Sequence, residues 1–258
     1  MKYYEKSKNS LNKFIGEWSN EKGANITIDS FRYEVNTFRE LANKEHFSNV
    51  LEIGSGSGLF VTYLAYSGFA DSCLGVDPCF SEDGTAKEEV FKTQNLLKDL
   101  DLDEKVNFRF ETLEEFLGSK VERKFDLVVF RDSLHHIYPK KDDQDNEKKF
   151  VEDMKSLKRI LTEDGKIYIK EITRPRAISD LLYKNIYDAW RVFKGNDKMD
   201  WEGKRTENEW RNLLLRADWK KLRASLIAPN ILRDHERLAW IGEKLGNSFL
   251  IEGSKERG

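Results

Sequence analysis

Three stretches of this sequence combine residue types and spacing that can do chemistry. Glu52-Ile53-Gly54-Ser55-Gly56-Ser57-Gly58 sets three alternating glycines behind a carboxylate. Glycine lets a backbone pass close to a ligand and adopt conformations closed to other residues. Asp77 lies 19 residues beyond Gly58, a separation at which a carboxylate can accept hydrogen bonds from ribose hydroxyls. Arg131-Asp132-Ser133-Leu134-His135-His136 offers two imidazoles, and histidine is the usual proton acceptor near neutral pH.

These groups need a scaffold, and the apolar pattern supplies one. Asn49–Ile53 reads as a strand ended by the glycines and Leu59–Ser67 as the helix after it. Ser72–Val76, Val106–Phe110, Phe125–Phe130 and Lys166–Ile172 read as further strands, the fourth apolar throughout except for Asp126. Helices are expected over Thr85–Leu100 and Leu113–Leu117, and along a stripe of Phe150, Met154, Leu157 and Leu161 that closes at Asp164-Gly165. Upstream, Phe31, Val35, Phe38 and Leu41 mark one helical face, with Asp29 or Ser30 as its N-cap; residues 1–25 are polar without clear period. Thr206-x-x-Glu209 opens a helix to Ala217 with a capping box, and Lys221–Ala228 and Asn247–Glu252 are candidate final strands. Strands that alternate with helices and are nearly continuously apolar imply a parallel sheet covered on both faces. The expected fold is one α/β domain: a Rossmann-like, doubly wound, seven-stranded, mostly parallel sheet. Residues 1–47 form an N-terminal helical lid, 48–172 the cofactor-binding core, 173–205 an inserted cap, and 206–258 the last helix and strands.

Composition narrows the function. The 258 residues carry 44 Lys+Arg against 46 Asp+Glu, which argues against a general electrostatic grip on nucleic acid. No apolar run approaches the ~20 residues that span a bilayer. Met1-Lys2-Tyr3-Tyr4-Glu5-Lys6 leads into polar sequence rather than a signal peptide. With two cysteines, Cys73 and Cys79, there is no disulfide framework. The expectation is a cytoplasmic protein with reduced thiols.

The glycine spacing discriminates between nucleotide cofactors. A dinucleotide pyrophosphate calls for Gly-x-Gly-x-x-Gly on a helix N-terminus. Gly54-x-Gly56-x-Gly58 departs from this, and Glu52 ahead of it suits a cationic ligand better than a phosphate. Together with Gly75-Val76-Asp77, Phe125-Asp126-Leu127-Val128-Val129, Leu134-His135-His136-Ile137 and the turn Leu161–Lys166, this pattern resembles the class I S-adenosylmethionine-dependent methyltransferases. The resemblance covers roughly residues 48–172 and the last helix and strands. It implies that Gly54, Ser55, Gly56 and Gly58 form the turn beneath the methionine part and ribose, with Glu52 near the cofactor's amino group. It also implies that Asp77 binds the ribose hydroxyls and Pro78 packs near adenine. Glu111 would meet the adenine amino group, Thr112 and Leu113 would line the ring, and Arg131 would lie beside the methionine moiety. Arg-Asp-x-x-x-His is similar to the segment after strand four of phosphoethanolamine methyltransferases, which implies His136 as catalytic base and His135 as the second candidate.

Catechol-type relatives hold a metal through an Asp after strand four and an Asp-Asn pair after strand five. Asp132 matches the first, but Lys170-Glu171-Ile172-Thr173-Arg174 lacks the pair, so no metal is expected. The run Asp142-Asp143-Gln144-Asp145 reads as a solvated loop. The cap has a surplus of three positive charges and the aromatics Tyr183, Tyr187 and Trp190. Arg174, Arg176 and Arg191 make an anionic small molecule an attractive substrate, and Arg32 and Tyr33 are candidates for closing the cofactor site. The Asn-Pro-Pro-Tyr motif of nucleic-acid amino methylation is absent. The expected activity is methyl transfer to oxygen or nitrogen of a small molecule. Two alternatives stay open: a partner or regulatory subunit that binds the cofactor without catalysis, and an NAD(P)-dependent oxidoreductase. The second is disfavoured by the glycine spacing and by the lack of a core Tyr-x-x-x-Lys pair.

Overall fold

A computed structural model describes residues 2–21, 26–79, 87–139, 143–172, 204–227 and 248–254, with 185, 188, 189 and 192 between them. Its strands are β1 (Phe47–Ile53), β2 (Ala70–Val76), β3 (Val106–Arg109), β4 (Phe125–Arg131), β5 (Leu161–Ile172), β6 (Lys220–Ile227) and β7 (Ser248–Ser254). They form one seven-stranded sheet in the order β3-β2-β1-β4-β5-β7-β6. All pairings are parallel except those of β7, which runs antiparallel to β5 and β6. The expected sheet is therefore present.

The helices are α1 (Lys2–Glu21), α2 (Ile28–Ala42), α3 (Leu59–Tyr66), α4 (Lys87–Asp99), α5 (Leu113–Gly118), α6 (Leu134–Ile137), α7 (Asp143–Leu157) and α8 (Glu207–Arg216). Strand pleating divides the core in two. Val50, Leu127, Val129 and Tyr168 pack with residues of α1 to α4 on one face. Leu51, Ile53, Val128, Phe130, Ile167 and Ile169 pack with residues of α5 to α8 on the other. Register aligns the C-terminal ends of the strands: Ile53 lies opposite Val76 and Phe130, and Arg131 opposite Lys170. This is the edge on which an open α/β sheet carries its ligand site.

Several local expectations need correction. Helix α2 is capped by Thr27, not Asp29 or Ser30; the Thr27 hydroxyl accepts from the Ser30 N–H while Ser30 caps back. The polar segment before it carries α1, which buries Leu11 and Ile15. The stripe through Phe150, Met154 and Leu157 does not extend to Leu161. After α7 a short 3₁₀ turn (Lys158–Ile160) hands over to β5, and Leu161 pairs with Phe125. The register then jumps to Lys166 opposite Leu127, so the residues read as a helix stop are a bulge within β5. Asp143 and Asp145 belong to α7 rather than a loop. Thr206 and Glu209 form the expected capping box of α8. Most of the cap, 173–203, and with it Arg174, Arg176, Tyr183, Tyr187, Trp190 and Arg191, lies outside the described residues.

The one acidic residue in β4 has a structural task. Asp126 Oδ2 accepts from the backbone N–H groups of Ser48 and Asn49, each at 2.9 Å, where β1 begins. Asp126→Ala leaves both donors without this partner, so chemical denaturation should show a loss of about 1–3 kcal/mol.

Candidate active site

The glycine turn joins β1 to α3. Gly54, Gly56 and Gly58 have φ of 71°, 53° and 77°, a left-handed region in which side chains are strained. A β-carbon on Gly54 would collide with Ser133, and one on Gly58 with the ring of Phe108. The glycines therefore serve packing between the turn, β3 and the loop after β4 as well as access for a ligand. Gly54 and Ser55 donate to the Val76 carbonyl, at 2.8 and 3.3 Å, which ties the turn to the end of β2.

Asp77 follows directly. Its carboxylate accepts from Gly56 N–H at 2.9 Å and from Cys79 N–H at 2.7 Å, and so holds the turn and the start of the next loop together. Pro78 adjoins it. Burial, and then the negative charge of Asp77, push the Cys79 thiol up to about 12, so it is a protonated thiol at neutral pH.

Glu52 is 2% exposed, and its Oε2 has no hydrogen-bond partner. Burial raises its pKa from 4.5 to about 8; Arg131 opposes the shift while Glu34 and Asp77 add to it. A buried carboxyl with one unpartnered oxygen beside a glycine turn, with Asp77 across from it, fits a ligand that carries an amino group and a ribose.

Arg131, at the end of β4, is engaged by α2. Its Nε lies 3.2 Å from both oxygens of Glu34 in α2. Its guanidinium lies against both Phe31 and Phe60, 5.0 and 5.2 Å from the ring centroids, while the two rings meet edge-on. The Tyr168 hydroxyl donates to Glu34 Oε1 at 2.8 Å. Burial works against the charge on Arg131, yet Glu34, Asp132 and Glu52 hold its pKa above the ordinary arginine value. Phe31 and Glu34 are thus the α2 residues that face the sheet edge. Arg32 pairs with Asp29, and Tyr33 is exposed.

After β3, Glu111 pairs with Arg109, Thr112 caps α5, and Leu113 is buried. Phe110 is exposed and packs edge-on to Phe91.

After β4, Asp132 has φ 53° and pairs with Lys170. Burial opposes its charge, but Lys170 and Arg131 hold its carboxyl below the usual range. The Ser133 hydroxyl donates to the Ile53 carbonyl at 2.9 Å, which joins this loop to β1. Sequence reasoning missed Glu171 as a functional residue. It is fully buried at the end of β5; its Oε1 accepts from Leu134 N–H at 2.6 Å and its Oε2 lies 2.8 Å from His135 Nδ1. A carboxylate on Nδ1 favours the tautomer with the proton there, which leaves Nε2 as a base. His136 is exposed, its ring centroid 4.1 Å from that of His135. Among the described residues, no three His, Cys, Asp or Glu side chains are grouped to hold a metal ion, and no helix is long and apolar enough to cross a membrane.

A methyltransferase-domain family profile matches residues 29–224. The chain belongs to that family, and the class I S-adenosylmethionine-dependent methyltransferase fold expected from the motifs is borne out. S-adenosylmethionine is the cofactor of that class. No curated protein matches the sequence. Among solved structures, it resembles an S-adenosylmethionine-dependent methyltransferase from Leishmania major, at 14% identity and TM-score 0.58 over 98% of this chain and 83% of that one. A methyltransferase from Archaeoglobus fulgidus dependent on the same cofactor gives 14% identity and TM-score 0.53 over 92% and 98%. An O-methyltransferase family protein from Burkholderia thailandensis gives 13% and 0.55 over 90% of this chain. The chain spans 57% of the length of that last protein, and 56% of the methyltransferase CalO6.

Between pH 4.5 and 8 the folded chain holds a proton on Glu52 that the unfolded chain releases. The contribution of this group to stability therefore falls as pH rises through that window. Glu52→Gln should raise the melting temperature by about 5 °C at pH 7.5 and leave it unchanged at pH 4, measured by calorimetry across pH.

Proposed function

We propose that this chain transfers a methyl group from S-adenosylmethionine to an oxygen or nitrogen of a small molecule, with His135 taking the proton of the attacking group. The observation that carries this reading is the buried Glu171 bonded to His135 at the C-terminal edge of the sheet, beside the glycine turn. Bound there, S-adenosylmethionine supplies a methyl group on a positively charged sulfur. Glu52 would face its amino group, Asp77 its ribose hydroxyls, and Gly54, Ser55, Gly56 and Gly58 would lie beneath it. Pro78, Glu111, Thr112 and Leu113 would flank adenine. Arg131 would act from behind, through its charge on Glu52.

The work of the protein is to hold the nucleophile in line with the methyl group. A hydroxyl or amine also gains from losing its proton as it attacks, and His135 Nε2 is the acceptor. Glu171 holds the imidazole in the required tautomer and stabilises the imidazolium that forms, and through Leu134 N–H it fixes the turn that carries it. The sequence resemblance favours His136 for this role; the Glu171 contact supports His135 instead. The arginines of the cap make an anionic acceptor the first class to test.

Calorimetric titration with S-adenosylmethionine and S-adenosylhomocysteine, with NAD as control, tests the cofactor half. Binding of the first two in the micromolar range, lost in Asp77→Ala, is expected; binding of NAD alone would revive the oxidoreductase reading. Transfer of labelled methyl to a panel of phenols, amines and carboxylated or phosphorylated small molecules tests the rest. His135→Ala should lower turnover by about 10²–10⁴-fold and Glu171→Gln by less, both with cofactor affinity near wild type. Full turnover in His135→Ala with loss in His136→Ala would transfer the role to His136, and cofactor binding with no turnover on any acceptor would favour a partner subunit.

A further inference from the structure

We infer that Thr93 is a positioning residue for the cofactor turn, and that the N-terminal helix α1 acts on the same turn through α4. This rests on the reading that Gly54–Gly58 holds the cofactor. Thr93 lies in the middle of α4 and is fully buried. A helical threonine commonly returns its hydroxyl proton to a carbonyl of its own preceding turn. Here Oγ1 donates instead to the carbonyl of Ser57, 36 residues away, at 2.7 Å. Ser57 sits between Gly56 and Gly58, where the backbone has little steric resistance to rotating a peptide.

The neighbouring carbonyls are held from within: Ser55 O accepts from Gly58 N–H at 2.9 Å, and Gly58 O from Thr62 N–H and Oγ1 at 3.1 and 2.8 Å. The Ser57 peptide is the one pinned by a side chain from another helix, and its orientation follows the position of α4. That helix is held in turn by α1. Glu89, one turn before Thr93, accepts from Trp18 Nε1 of α1 at 3.0 Å, and Lys92 lies 3.4 Å from Glu21. Trp18, Glu89, Thr93 and Ser57 thus link an N-terminal helix to the turn.

The test is S-adenosylhomocysteine titration joined to hydrogen exchange of the 54–58 amides in the free protein, on wild type, Thr93→Val, Thr93→Ser, Trp18→Phe and the Thr93→Val/Trp18→Phe double variant. Thr93→Val should weaken binding about tenfold, Thr93→Ser should restore it to within about twofold, and Trp18→Phe should weaken it about threefold. The double variant should weaken binding by less than the product of the two single effects. Exchange at 54–58 should quicken in Thr93→Val while the central strands keep their protection. Wild-type affinity and wild-type exchange at the turn in Thr93→Val would overturn the inference. So would exchange that quickens equally across the sheet, or failure of Thr93→Ser to rescue. If wild type itself does not bind S-adenosylhomocysteine, the cofactor reading fails, and the exchange rates alone decide whether Thr93 holds the turn.

Discussion

A buried ion pair, its guanidinium packed against two touching phenyl rings, organises the C-terminal edge of this sheet. Arg131 ends β4, and Glu34 reaches it from α2. Removing either partner would strand the other charge in a nearly dry place, which is costly. The pair therefore commits α2 to the C-terminal edge, and Tyr168 of β5 reinforces that commitment through Glu34. The same pair sets the field around Glu52, where the arginine eases ionisation and Glu34 resists it. A buried carboxyl with one oxygen unpartnered costs stability, and here it sits where a cationic ligand would relieve it.

The glycine turn is held by its neighbours as much as by its own conformation. Ser133 and Phe108 occupy the space that side chains at Gly54 and Gly58 would need, while Asp77 and Thr93 hold two of its peptides. Pleating separates two tasks along the same edge. Glu52 and Arg131 fall on the face covered by α2 and α3, whereas Ile167, Ile169 and Glu171 alternate onto the face of α6 and α7. Cofactor-side charge and the candidate base thus approach the edge from opposite faces of one sheet.

Much of this was legible in the sequence because strands buried on both faces leave apolar runs that helical patterns interrupt. Each strand was located to within a few residues except the start of β5, where an apolar residue in helical phase, Leu161, opens a bulged strand instead. Helix α1 did leave a signal, since Leu11, Phe14, Ile15 and Trp18 follow a helical spacing, but the polar residues around them conceal it. The Thr27 cap was overlooked because Asp29 and Ser30 are equally good capping types close by. Glu34 and Glu171 were missed for a different reason: their partners lie 97 and 36 residues away, and no local pattern encodes such pairs. For Glu171 a signal did exist, since Ile167-x-Ile169-x-Glu171 puts an acid in phase with the buried face of a strand. For Arg131 the motif gave the end of β4 and not the partner, because only the packing of α2 reveals the pair with Glu34.

The central claim is that the Gly54–Gly58 turn, Glu52 and Asp77 together hold S-adenosylmethionine. A crystal structure of the chain with S-adenosylhomocysteine tests it most directly. The expected result is a product molecule lying over the turn, its ribose hydroxyls on Asp77 and its amino group toward Glu52, with Arg131 still held by Glu34. Product bound elsewhere on the chain, or a turn that stays empty at saturating concentration while the fold is intact, would contradict the account.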